Sequence, residues 1–125
     1  MQYINTKDAP AAIGAYSQAV DTGNMLFVSG QIPINPKSGK IDSLDIKGQT
    51  EQVLRNLFNI IKAAKYGLTD IAKITIYITD INNFNIVNKI YEDYLGSHRP
   101  ARALVSVDAL PKGSLIEIDA ICFRQ

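Results

Sequence analysis

Tryptophan is absent from this 125-residue chain, cysteine and histidine occur once each, and the formal net charge is only +1. Each scarcity removes a class of function. One cysteine, Cys122, excludes an internal disulfide and any cysteine-rich metal site, and one histidine, His98, leaves a serine triad or a zinc site short of members. A nucleophilic thiol needs a base or another source of lowered pKa, and His98 lies apart in the polar loop Gly96-Ser97-His98-Arg99-Pro100. Cys122 is therefore read as a buried structural residue on a C-terminal strand, and His98 as a solvated loop residue. Near neutrality, with the Lys and Arg scattered, gives no electrostatic grip on nucleic acid. No apolar run approaches the ~20 residues of a membrane span, and the first eight residues lack the apolar core of a signal peptide. The expectation is a cytoplasmic protein with no nucleic-acid or membrane partner and no metal site.

What is present is an ordinary globular composition, 46% hydrophobic and 20% charged, which excludes disorder and fibre. The length fits a single domain, residues 1–125. Small residues and Pro10 mark a loop over Asn5 to Ile13, and Gly14 to Val20 reads as a short strand. Asp21-Thr22-Gly23-Asn24 is a hairpin turn leading to a returning strand from Met25 to Ser29. Gly30 follows that strand directly, which permits a ligand or another backbone to come close, or serves a plain turn. Apolar residues at helical spacing from Ile46 to Leu68, with Gly67 as a stop, predict the longest helix. Ile74, Ile76 and Ile78 alternate with Thr75, Tyr77 and Thr79 in the clearest strand. Phe84, Val87, Ile90 or Tyr91, Tyr94 and Leu95 predict a second helix capped by Asn82 or Asn83. Two apolar runs, Ala103 to Leu110 and Leu115 to Phe123, flank Pro111-Lys112-Gly113 and predict two strands joined by a turn.

This order favours an α+β sheet with both helices on one face and the three isoleucines pointing at them. The closing strands are apolar at nearly every position and need cover on both sides, so a homo-oligomer is expected. Two polar side chains stand out there. Arg102 opens the first strand, and an arginine fork suits a carboxylate; Glu117 lies inside the second, where apolar surroundings raise a carboxyl pKa toward the range useful for moving protons. They form either a site for a small carboxylic acid or a cross-strand ion pair.

From Ala9 onward the chain resembles the reactive intermediate deaminase family, RidA or YjgF. The motifs are Ala9-Pro10-Ala11-Ala12-Ile13-Gly14-x-Tyr16-Ser17-Gln18, Gly23-Asn24-Met25, Ser29-Gly30-Gln31-Ile32-Pro33, Asp80-Ile81-Asn82-Asn83-Phe84, Val87-Asn88, Pro100-Ala101-Arg102, Leu110-Pro111-Lys112 and Ile116-Glu117-Ile118. The resemblance implies a chorismate-mutase-like α+β fold, a mixed β-sheet assembled as a homotrimer with three clefts between subunits. It implies hydrolysis of enamines and imines such as 2-aminoacrylate to 2-oxo acids and ammonia, with no cofactor. Carried over, Arg102 clamps the substrate carboxylate and Glu117 holds the attacking water. Ser29 and Gly30 line the cleft, with Tyr16 and Asn88 at its rim. Many relatives have a cysteine where Leu104 stands; leucine preserves the water site if that position acts through its backbone carbonyl, and loses the contribution if the thiol matters. The loop 96–100 is shorter than in many relatives, which carry an aromatic there. A second class of function is a non-catalytic trimer that binds 2-oxo acids or a regulatory partner in the same cleft; it needs Arg102 but has little use for Glu117. Ribonuclease activity, attributed to some relatives, finds little support in a near-neutral chain without a histidine pair.

Overall fold

The computed structural model describes residues 1–125. It is an α+β fold: six strands in one mixed sheet, β1 (Gln2–Ile4), β2 (Ala19–Asp21), β3 (Met25–Gln31), β4 (Ile71–Ile78), β5 (Ala101–Ser106) and β6 (Ile116–Phe123), with helices α1 (Ile46–Ala63) and α2 (Phe84–Leu95). The spatial order is β1-β2-β3-β6-β4-β5. All neighbours are antiparallel except β4 and β5, which run parallel.

The period-2 pattern works as expected on β4. Ile74, Ile76 and Ile78 are fully buried, and they join Ile116, Ile118 and Ala120 of β6 and Val53, Leu57 and Ile60 of α1 in one core. Val87, Tyr91 and Leu95 bring α2 to the same side at i, i+4, i+8. The hairpin at Asp21 to Asn24 is present, with Gly23 at φ +115. Cys122 is buried in this core, and burial pushes its thiol up to about 12, as expected of an inert residue.

Several elements differ from the sequence reading. The two closing strands are not a hairpin: β4 lies between them, because β5 crosses over to pair parallel with β4 while β6 pairs antiparallel with β4 and β3. Residues Gly14 to Gln18 are not a strand. Gln18 turns inward and bonds the backbone of the preceding loop, its Nε2 donating to Thr6 and Pro10 carbonyls at 3.0 and 2.8 Å and its Oε1 accepting from Thr6 N at 2.7 Å. A buried amide satisfied this way replaces ladder bonds. The first helix ends at Ala63, before Gly67, because Lys65 adopts φ +66 and reverses the chain. Tyr66 then points in to donate its hydroxyl to Asp21 at 2.8 Å. Asn83 takes the N-cap position of α2 as expected but makes no side-chain cap bond; the side-chain cap lies one turn earlier, where Asp80 Oδ1 accepts from Asn82 N at 3.0 Å at the start of the 3-10 turn Ile81–Asn83.

One sheet face carries no helix. Paired positions put Tyr3, Val20, Phe27, Ile121, Tyr77 and Val105 on it, and Phe27, Val105 and Phe123 are each more than two-fifths exposed. The C-terminal end of β6 is secured by Arg124. Its guanidinium lies 4.0 Å over the Tyr66 ring, bonds Lys65 O at 3.0 Å and approaches Asp21 Oδ2 at 3.4 Å.

Asp21 is buried, and its bonds from Gly23 N and Tyr66, with Arg124 nearby, hold its carboxyl below its ordinary 3.8. A depressed acid stabilises the fold above its unfolded pKa, and that contribution is lost as pH falls through the folded one. Wild type should be more stable than Asp21→Asn at pH 7, and the gap should close as pH drops below 3.8. Denaturant unfolding of both proteins across pH checks this; a gap that does not change with pH would count against the charged form.

Candidate functional site

The bulge in β3 builds one half of the site. Register slips between Val28 and Gln31 against β6, so Ser29 and Gly30 leave the regular ladder. Ser29 Oγ donates to Ser17 O at 2.6 Å and Ser29 N to Gln18 O at 2.9 Å, fixing the loop that presents Tyr16, itself more than half exposed. Gly30 leaves room for the side chain that lies over it. A Cβ at this position would collide with the Glu117 carboxylate and come within 3.2 Å of its Cγ.

Glu117 projects from β6 on the helix-free face, opposite Tyr77. It is half-buried and accepts no hydrogen bond from the protein. Burial raises its pKa, and the neighbouring Asp119 charge adds to the effect. Asp119 is itself engaged, accepting from Tyr77 Oη at 3.0 Å, and this bond with burial raises the Tyr77 pKa, so the phenol stays a neutral donor. The result is a carboxylate whose proton is held more tightly than usual and whose oxygens are free for a water.

The other half stands on the edge strand. Arg102 is paired with Ile74 in the β4–β5 ladder and shares its direction, toward the helices. There α2 holds it: Arg102 Nη1 donates to Asn88 Oδ1 at 2.7 Å, and its guanidinium carbon lies 4.9 Å from the Tyr91 ring centre and 5.9 Å from that of Phe84. Asn88 Nδ2 in turn donates to Glu92 Oε1 at 3.1 Å. A carboxylate only accepts, so Glu92 fixes which way the Asn88 amide faces, and Asn88 fixes Arg102. No acidic side chain pairs with Arg102, since the salt bridges are Lys89–Asp93 and Arg124–Asp21. Leu104, two residues on, is half-buried on the same side, packed against the core beside Ile76.

Tyr16, Ser29, Gly30 and Glu117 thus form one group, and Arg102, Asn88 and Leu104 another. Within one chain they do not meet. Arg102 and Glu117 sit on opposite faces, two strand spacings or about 10 Å apart across the sheet, and the cross-strand ion pair is ruled out. His98 corrects a further expectation: it is half-buried, with Nε2 2.8 Å from Ile71 O, and because a carbonyl only accepts, Nε2 carries the proton. The sequence reading missed Tyr91, Glu92, Tyr77 and Asp119. Positions i+3 and i+4 from Asn88 on a helix, and i+2 from Glu117 on a strand, were the available signals. No three His, Cys, Asp or Glu side chains converge as a metal site would require.

A family model described as endoribonuclease L-PSP matches residues 6–123. The human 2-iminobutanoate/2-iminopropanoate deaminase is 46% identical over 121 residues, covering 97% of this chain and 88% of that protein. The solved structure of the YjgF gene product from E. coli superposes with a TM-score of 0.95 at 45% identity, covering all of both chains. The chain belongs to the RidA/YjgF family. A RutC family protein of Pyrococcus horikoshii is 50% identical over 124 residues, 99% of this RidA/YjgF chain and 98% of its own.

A raised acid pKa costs stability once pH climbs past the unfolded value, because the folded chain must then carry a poorly solvated charge. Glu117→Gln should therefore match wild type in stability at pH 3 and exceed it at pH 7. Melting curves at both values test this; equal stability at pH 7 would mean the carboxyl is not held against ionisation.

Proposed function

We propose that this RidA/YjgF member hydrolyses 2-imino acids, and the enamines such as 2-aminoacrylate that equilibrate with them, to 2-oxo acids and ammonia. The observation that carries the reading is Glu117, a half-buried carboxylate with a raised pKa, no protein hydrogen bond, and a glycine beneath it. A module that only binds 2-oxo acids needs the Arg102 clamp and has no need to keep such a group. The deaminase relatives support the same choice.

In this reading the free donors of Arg102 take the substrate carboxylate. Water adds through oxygen to C2 of the protonated imine as Glu117 accepts a water proton. Glu117 returns that proton to nitrogen, then takes the hydroxyl proton as the C–N bond breaks, leaving the 2-oxo acid and ammonia. A raised pKa suits a group that must both accept and release a proton. Since the imine is already electrophilic, most of the acceleration comes from orientation.

Arg102 and Glu117 face opposite ways in one chain, so the proposal includes association: a homotrimer in which the helix-free face is covered and each cleft takes Arg102 from one copy and Glu117 from the next. The exposed Phe27, Val105 and Phe123 favour such cover. The protein's own partners are then a second copy and a small imino acid.

Imines generated by an amino-acid oxidase in the presence of semicarbazide provide the assay, since hydrolysis suppresses semicarbazone formation. Arg102→Ala and Glu117→Gln should each be inactive alone. Refolded together they should regain about a quarter of wild-type activity, the share of clefts in random trimers that receive both native residues; no recovery would place the two residues in separate roles. Gly30→Ala, by displacing the carboxylate, should lower kcat about 10²-fold with unfolding free energy changed by no more than about 0.5 kcal/mol.

A further inference from the structure

Arg102 is not the only unpaired guanidinium beside α2. Arg99 shares with it a cavity of about 240 Å³ whose remaining walls are Asn88, Tyr91, Glu92 and Pro100. The loop that carries Arg99 is fixed at both ends. Gly96 stops α2 at φ +61 with its N–H on Glu92 O at 3.0 Å, and His98 is tied through Nε2 to Ile71 O. Arg99 folds back over this loop, its Nη1 donating to Gly96 O at 2.7 Å and His98 O at 2.9 Å. Its Nε and Nη2 make no bond to the protein, and it has no acidic partner.

Two further features point to a ligand here. The Tyr91 hydroxyl, from the cavity wall, is buried without any hydrogen-bond partner. The cavity also holds two arginines against one glutamate, and that glutamate is committed to Asn88, so 2 − 1 leaves one positive charge before any ligand enters. In the hydrolase reading a single substrate carboxylate goes to Arg102. A second anchored guanidinium in so small a space is then left without an anion.

Resting on that reading of Arg102, we propose that Arg99 makes this a two-cation site selective for 2-imino acids carrying a second, side-chain carboxylate, with the 2-oxo dicarboxylates as products. Arg102 takes the carboxylate next to the reacting carbon and Arg99 the distal one. An arginine fork held by backbone carbonyls is already ordered, so the distal carboxylate finds its donors in place. Imines of short neutral amino acids lack that contact.

Stable products test selectivity without relying on turnover. Calorimetric titration of wild type with 2-oxoglutarate and with 2-oxobutanoate should show the dicarboxylate bound about tenfold more tightly, a charge-assisted contact's worth. Arg99→Gln should collapse that ratio toward one, and Arg99→Lys should restore part of it. Equal affinities in wild type, or a ratio unchanged by Arg99→Gln, would overturn the proposal. Imine hydrolysis is assayed on the same preparations: a preserved binding preference without turnover counts against the hydrolase reading and leaves the selectivity standing.

Discussion

Everything about the site follows from β4 lying between β5 and β6. That single insertion sends Arg102 to the helix side, where α2 can grip it, and Glu117 to the bare side, where nothing does. No cross-strand pair forms between two charges held on opposite faces with a strand between them. Separation keeps both available. It also divides the work of preparing them: the arginine is oriented by neighbours that bond and stack on it, and the glutamate is tuned by neighbours that decline to.

The contrast is visible in the surrounding side chains. Around Arg102 the chain supplies an acceptor and two rings, with Glu92 holding the acceptor's amide the right way round. Around Glu117 it supplies a glycine, and an aspartate already bound to a tyrosine. An ionised group left half-buried and unbonded is unfavourable for folding, and such sites tend to be kept where chemistry needs them. The core compensates through fully buried aliphatic side chains on β4, β6 and α1, each contributing about 1.5–3 kcal/mol.

Local pattern carried a good part of this fold. The isoleucine alternation on β4, the second helix from Phe84 to Leu95 and the turn at Asp21 to Asn24 were all legible, because each is set by neighbours within a few residues. The crossover of β5 was not, since pairing of strands distant in sequence leaves no mark on either strand's own pattern. The same holds for long-range polar contacts: Gln18 unmakes an expected strand, Tyr66 draws α1 to an early end, and His98 leaves solvent for the Ile71 carbonyl. Arg102, Asn88, Ser29, Gly30 and Glu117 were named as candidates through the family motifs. Their division between two faces required the sheet order.

The tether at His98 has a property of its own. Nε2 donates to the carbonyl of the first residue of β4, so the loop that follows α2 is fastened to the sheet as well as to the helix. The same loop carries Arg99, whose Nη1 bonds the His98 carbonyl. A single imidazole thus sets where the chain leaves α2 and where it enters β5, and Arg99 takes its position from the strand that β5 runs beside.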